Sequence, residues 1–193
     1  RSYDLLWSRM VNEYLLGERA PMNDLMAWNA DATRMPALMH SQYLRRLFLN
    51  DDLSEGRYPV DGKPVSLSNL TLPMFMVGTL TDHVAPWRSV FKLHQMSPAE
   101  ITFALTSGGH NAGIVNPPGN PRRRYQLLTR PAGGSYVAPD EWLETAPQTQ
   151  GSWWPAWLQW LQARSGTPVK PPRMGAGAYQ PVGDAPGTYV LEK

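Results

Sequence analysis

The chain has 193 residues, a formal net charge of +2, 42% hydrophobic and 18% charged residues, and no cysteine. This describes one globular domain, or part of one, and excludes the electrostatic footprint of a nucleic-acid-binding surface. Without Cys there is no disulfide framework, thiolate metal site or thiol nucleophile within the chain; no run has the length of a transmembrane helix and the first residues carry no signal pattern, so a cytoplasmic protein is expected.

Tyr3, Leu6, Trp7, Met10, Val11, Tyr14 and Leu15 recur at i, i+3, i+4 spacing, which predicts an amphipathic helix ended by Gly17 and Pro21. A second helix is expected after Pro36, with Leu38, Met39, Tyr43, Leu44 and Leu47 on one face and Thr33 as an upstream cap. Tyr58–Val65 places Asp61-Gly62 between short apolar flanks, a type I′ hairpin signal, and its prolines confine it to a sheet edge. Leu72–Gly78 is a continuous apolar run, as in a strand buried on both faces. A helix over Pro86–Met96 and a second apolar run, Ile101–Thr106, complete a strand, helix, strand unit. That order predicts parallel pairing through a crossover helix, hence an α/β sheet.

Arg122–Arg124 is a basic patch, read either as a solvated face or as a contact for a phosphate-bearing ligand. Ser152–Leu161 reads as an N-capped helix with proline in its first turn and Trp157, Leu158 and Leu161 facing inward. From residue 165 to Lys193 the composition turns to Pro and Gly, so the expected division is a domain over 1–164 and a surface-wrapping tail over 165–193.

Two groups sit just past the ends of the two apolar strands, Asp82 in Thr79–His83 and His110 in Ser107–His110. Ligands and catalytic groups gather outside strand ends in open parallel sheets, and Asp followed by His is the order in which α/β-hydrolases supply the last two members of a triad. His110 has the chemistry of a general base near neutral pH, and Asp82 that of the acceptor that fixes its tautomer. The competing reading has Asp82 capping the helix after Pro86 and His110 as a polar turn residue. His83 is expected as a supporting group around Asp82; His40 and His94 fall on helices, and no His spacing suggests a metal site. Trp28, Asn29 and Asp31 are candidates for lining a substrate passage. No G-x-S-x-G elbow occurs, so the nucleophile of a triad is missing from the chain.

Asp24–Arg45, Val77–Trp87, Thr106–Pro118, Gly151–Trp157 and Ala185–Val190 together resemble the class I poly(3-hydroxyalkanoate) synthases, in family order along nearly the whole chain. The resemblance implies the C-terminal part of an α/β-hydrolase fold with part of its cap region. It also implies an acyltransferase that takes (R)-3-hydroxyacyl-CoA, releases CoA and extends a polyester held on a catalytic cysteine. Asp82 then matches the family aspartate and His110 the family histidine that deprotonates the thiol, while Trp28 and Asn29 follow the cap. The coenzyme A thioester enters as substrate, with no resident cofactor implied. The implied partners are a second copy in a homodimer, the surface of cytoplasmic polyester granules, and an N-terminal segment of the same synthase that carries the cysteine. With that segment gone, the outer edge of Leu72–Gly78 is expected to lack a strand partner. Two other functions stay open on the residues alone: a non-catalytic dimerisation or granule-binding module, suggested by the Trp-rich second half, and a different hydrolase using serine.

Overall fold

The computed structural model describes residues 7–18, 34–184 and 187; Trp28, Asn29, Asp31 and Thr33 lie outside them. Two compact units form, one of Arg1–Ala37 with Pro171–Lys193 and one of Leu38–Lys170.

In the first unit, helix α1 (Met10–Leu15) is wound with π geometry and carries an Arg9–Glu13 ion pair at 2.8 Å. Gly17, at φ 71°, ends it by taking the left-handed conformation that costs glycine little. The apolar stripe predicted here is exposed at Trp7, Met10, Tyr14 and Leu15. The described part of the Pro/Gly-rich tail contributes no buried residue and one bridge, Ala176 to Tyr179.

The second unit is organised by two strands, β3 (Met74–Thr79) and β4 (Ile101–Thr106), which pair in parallel from Met74 opposite Ile101 to Thr79 opposite Thr106. Before them come helix α2 (Ala37–Tyr43, continuing as Leu44–Leu49) and the hairpin β1 (Tyr58–Val60) to β2 (Lys63–Val65). Asp61 and Gly62 at its tip have φ 48° and 76°, the paired positive values of a type I′ turn. Beyond β4, strand β5 (Arg124–Arg130) and the short β6 (Gln148–Gln150) add antiparallel, so the sheet runs β3-β4-β5-β6 and is mixed, not wholly parallel as expected. The connection from β5 to β6 is short enough to return directly through one helix, α6 (Pro139–Thr145).

Alternation along β4 divides the core. Ile101, Phe103 and Leu105 face a cluster with Trp87 and Phe91 of helix α3 (Trp87–Phe91), plus Trp142 and Ala146. Phe103 meets Phe91 and Trp142 edge-to-face, with ring centroids 5.1 Å apart in both pairs. The opposite face takes helix α5 (His110–Ile114) and helix α7 (Trp154–Gln162): Phe75 stacks on Trp153 at 6.1 Å and meets Trp160 at 5.8 Å. Helices therefore flank the sheet on both sides.

Three expectations need correction. The strand expected to be buried on both faces is half-buried from Met74 to Val77 and buried only at Gly78 and Thr79, because β3 is an edge strand with no second partner among the described residues. The single crossover helix is two, α3 and α4 (Leu93–Met96). They separate where His94 Nδ1 takes the Phe91 carbonyl at 2.9 Å and interrupts the helical ladder. Trp157 and Leu158 of α7 are exposed instead of inward-facing. The rotation of α7 is fixed one residue before it starts, where the buried Trp153 donates its indole N–H to the Gly113 carbonyl at 3.1 Å.

Phe103 has no exposed surface and lies at the centre of the aromatic cluster. Phe103→Ala is expected to cost about 3–5 kcal/mol, read from the denaturation midpoint of the protein carrying this sequence; a cost below about 1 kcal/mol would contradict this core assignment.

Candidate active site

The parallel register brings the ends of β3 and β4 level, and the two turns that follow are tied to each other. The Leu80 N–H donates to the Thr106 carbonyl at 2.9 Å and the Thr81 N–H to the Gly108 carbonyl at 3.1 Å. Gly108, at φ 115°, turns the chain from β4 toward α5, and a Cβ there would meet Arg123 Nη1 at 2.6 Å. Helix α5 is pressed so closely on the strand ends that a Cβ on Gly113 would come within 2.4 Å of Thr79 Cγ2. Its last carbonyls are not left bare: Trp153 and Trp154 donate their indole N–H groups to Gly113 and Ile114 at 3.1 and 3.0 Å.

This frame brings Asp82 and His110 together across 28 positions of sequence, with His110 Nδ1 3.0 Å from Asp82 Oδ2. Oδ2 also accepts from the Thr79 hydroxyl at 3.2 Å, while Oδ1 accepts the backbone N–H groups of Val84 and Ala85 at 2.8 and 2.9 Å. Four donors converge on a side chain that is only 7% exposed. The Ala85 N–H and then His110 contribute most to holding the carboxyl far below its usual range, with Val84 adding to them and desolvation opposing. The ionised carboxylate can only accept, so the proton of this bond sits on His110 Nδ1, and in the neutral ring the lone pair is then on Nε2.

The His110 side chain is 49% exposed, in contrast to Asp82. It opens on a cavity of about 250 Å³ whose walls include Val77, Gly78, Val90, Ile114 and Val115, together with Asp82. An imidazole in the wall of an apolar hollow, its Nδ1 held by a carboxylate, has the chemistry to take a proton at Nε2 and return it.

The geometry gives neither residue its competing structural role. Asp82 does not cap α3, whose N-cap Pro86 receives no side-chain bond; it closes its own turn. His110 is not a turn residue but the first residue of α5. His83 is exposed and makes no hydrogen bond among the described residues, so nothing there links it to the pair. The basic run is partly built into the frame. Arg123 Nη1 donates to the Ser107 carbonyl at 3.4 Å, and the Arg124 N–H to Ser107 Oγ at 3.0 Å, leaving Arg122 exposed. Thr79, Trp153 and Trp154 are the contributors that sequence reasoning missed; a Thr on a strand and two adjacent Trp carry no local signal of a distant hydrogen-bond partner. No group of three His, Cys, Asp or Glu residues suited to a metal ion occurs among the described residues, and no helix among them is long and apolar enough to cross a membrane.

Because the native state binds a proton at Asp82 less readily than the unfolded chain, this group's contribution to stability is complete above its ordinary value of 3.8 and is lost as pH falls from there toward the lowered native value. Asp82→Asn is thus expected to be less stable than the parent at neutral pH, with the gap narrowing below that ordinary value. A gap that stays constant through the acid range would contradict the hydrogen-bonded carboxylate.

No family model matches the chain. Curated relatives do: it is 42% identical over 195 residues to poly(3-hydroxyalkanoate) polymerase 2 of Ectopseudomonas oleovorans, covering 100% of this chain and 34% of that protein. It is 40% identical over 194 residues to a poly(3-hydroxyalkanoate) polymerase subunit PhaC of Rhizobium etli, covering 100% and 30%. It is 34% identical over 195 residues to the corresponding subunit of Cupriavidus necator, covering 100% and 32%. The chain thus spans about a third of the length of the curated relatives it matches.

Proposed function

We propose that this chain, which belongs with the poly(3-hydroxyalkanoate) polymerases by homology along its whole length, supplies the base and its orienting carboxylate to a polyester-forming acyl transfer. The observation that carries the reading is the Asp82–His110 pair, with Nδ1 engaged at 3.0 Å and His110 in the wall of an apolar cavity. The chain has no cysteine, so the nucleophilic thiol comes from polypeptide other than these 193 residues. The edge of β3, which has no strand partner among the described residues, is where its strand would add to complete an α/β-hydrolase sheet.

The chemistry follows from the donor arrangement. Nε2 takes the thiol proton as sulfur attacks the carbonyl of an (R)-3-hydroxyacyl-CoA; the carbon–sulfur bond to CoA breaks, and CoA leaves as a thiol with the proton returned from the imidazolium. For extension, the 3-hydroxyl of another unit gives its proton to Nε2 while its oxygen attacks the enzyme-bound thioester. An ester forms and the enzyme thiol is regenerated. Asp82 holds the ring in the productive tautomer and stabilises the imidazolium in both halves. CoA is a substrate in this scheme and no resident cofactor is needed.

The exposed Leu38, Met39, Phe48 and Leu49 of α2 and Leu158 of α7 suit a chain that works against apolar material, which favours a place at cytoplasmic polyester granules and a homodimer. The same observation supports a granule-binding or dimerisation module as the second reading. In the full-length protein, His110→Ala is expected to abolish polymer formation and Asp82→Asn to lower its rate by about 10²- to 10⁴-fold, measured as CoA release. Sustained polymerisation by the His110 variant would overturn the catalytic reading in favour of the module.

A further inference from the structure

A second cavity, of about 210 Å³, lies at the opposite end of β4 from His110: Arg130, in its wall, pairs with Ile101, whereas Thr106 at the His110 end pairs with Tyr125. Phe91, Leu128, Val137 and Trp142 make its apolar walls, and His94, Thr129, Arg130 and Ser135 its polar ones. His94 is 5% exposed and does not belong to the pair described above. Its Nδ1 lies 2.9 Å from the Phe91 carbonyl, which can only accept, so the proton is on Nδ1. The ring stacks on Phe91 at 4.0 Å and meets Phe103 edge-on at 5.8 Å, which stops it from turning. Nε2 is left as an acceptor with no hydrogen bond to any described residue.

The wall chemistry restricts what can occupy this space. Burial, and then the nearby Arg130 charge, keep the imidazole neutral by lowering its pKa below 6.5, while the hydrogen bond to Phe91 opposes them. Arg130 gives three of its N–H donors to the carbonyls of His94, Ser97 and Ala99, and its Nε is enclosed without a partner among the described residues. An ammonium would meet the Arg130 charge, so a cation is disfavoured.

We propose that this cavity binds a small molecule with no positive charge, an apolar body and one hydroxyl, the hydroxyl donating to His94 Nε2 and the body lying against Phe91, Leu128, Val137 and Trp142. The site does not depend on the acyl-transfer reading and stands or falls separately. The test uses the full-length protein carrying this sequence, with 4-fluorophenol and 4-fluorotoluene as probes and fluorine NMR line broadening as the readout. Both probes should bind, and the phenol-to-toluene affinity ratio should fall about fivefold in His94→Leu, the worth of one neutral hydrogen bond. Val137→Phe, which fills the cavity from a different wall, should exclude both probes. Failure of the parent to bind either probe, an unchanged ratio in His94→Leu, or undiminished binding in Val137→Phe would each overturn the proposal.

Discussion

The parallel pairing of β3 with β4 is the constraint on which the site depends. Both strands end level, at Thr79 and Thr106, so the turns that follow share backbone hydrogen bonds and have little freedom to drift apart. Asp82 leaves one turn and His110 the other, and the 3.0 Å contact between them is the consequence of that register. A slip of one residue would send the alternate side chains of β4 to the wrong face, taking Phe103 out of the aromatic cluster and Thr106 away from α5. Core packing and site geometry are therefore two outcomes of one pairing.

Close approach sharpens this arrangement. Gly78 allows Trp87 and Phe103 to pack at the strand, where a Cβ would meet both at 3.0 Å, and Gly113 allows α5 to rest directly on Thr79. The short helix that presents His110 has only five residues, too few to be stable alone. It is held by the indole N–H groups of Trp153 and Trp154 on its C-terminal carbonyls. The Trp-rich segment thus has a positioning part, and its exposed remainder, Trp157 and Leu158, is what is left for contact with something else.

The sequence made the meeting of Asp82 and His110 legible because each follows an apolar run with the pattern of a strand, and strand, helix, strand order fixes which ends coincide. The hairpin was legible for a local reason, since Asp-Gly takes the two positive φ values of its turn. What escaped is non-local. Gln148–Gln150 has no apolar residue, and it is a strand because β5 pairs with it and Gln126 Nε2 ties the preceding turn through the carbonyls of Leu143 and Ala146. Helical periodicity put Trp157 and Leu158 inside, whereas a hydrogen bond from Trp153 to a distant carbonyl sets the rotation of α7. The donors to Asp82 other than His110 were equally hidden, being a strand threonine and two backbone groups of its own turn.

The proposed acyl transfer requires His110 to serve as base for a thiol outside these 193 residues. It is tested by the rate of alkylation of that cysteine by iodoacetamide at neutral pH in the full-length protein, with and without His110→Gln. Alkylation is expected to slow by at least about tenfold when the imidazole is removed, because less thiolate is available without the adjacent base. An unchanged rate would contradict the pairing of His110 with the thiol, whatever the polymer yield.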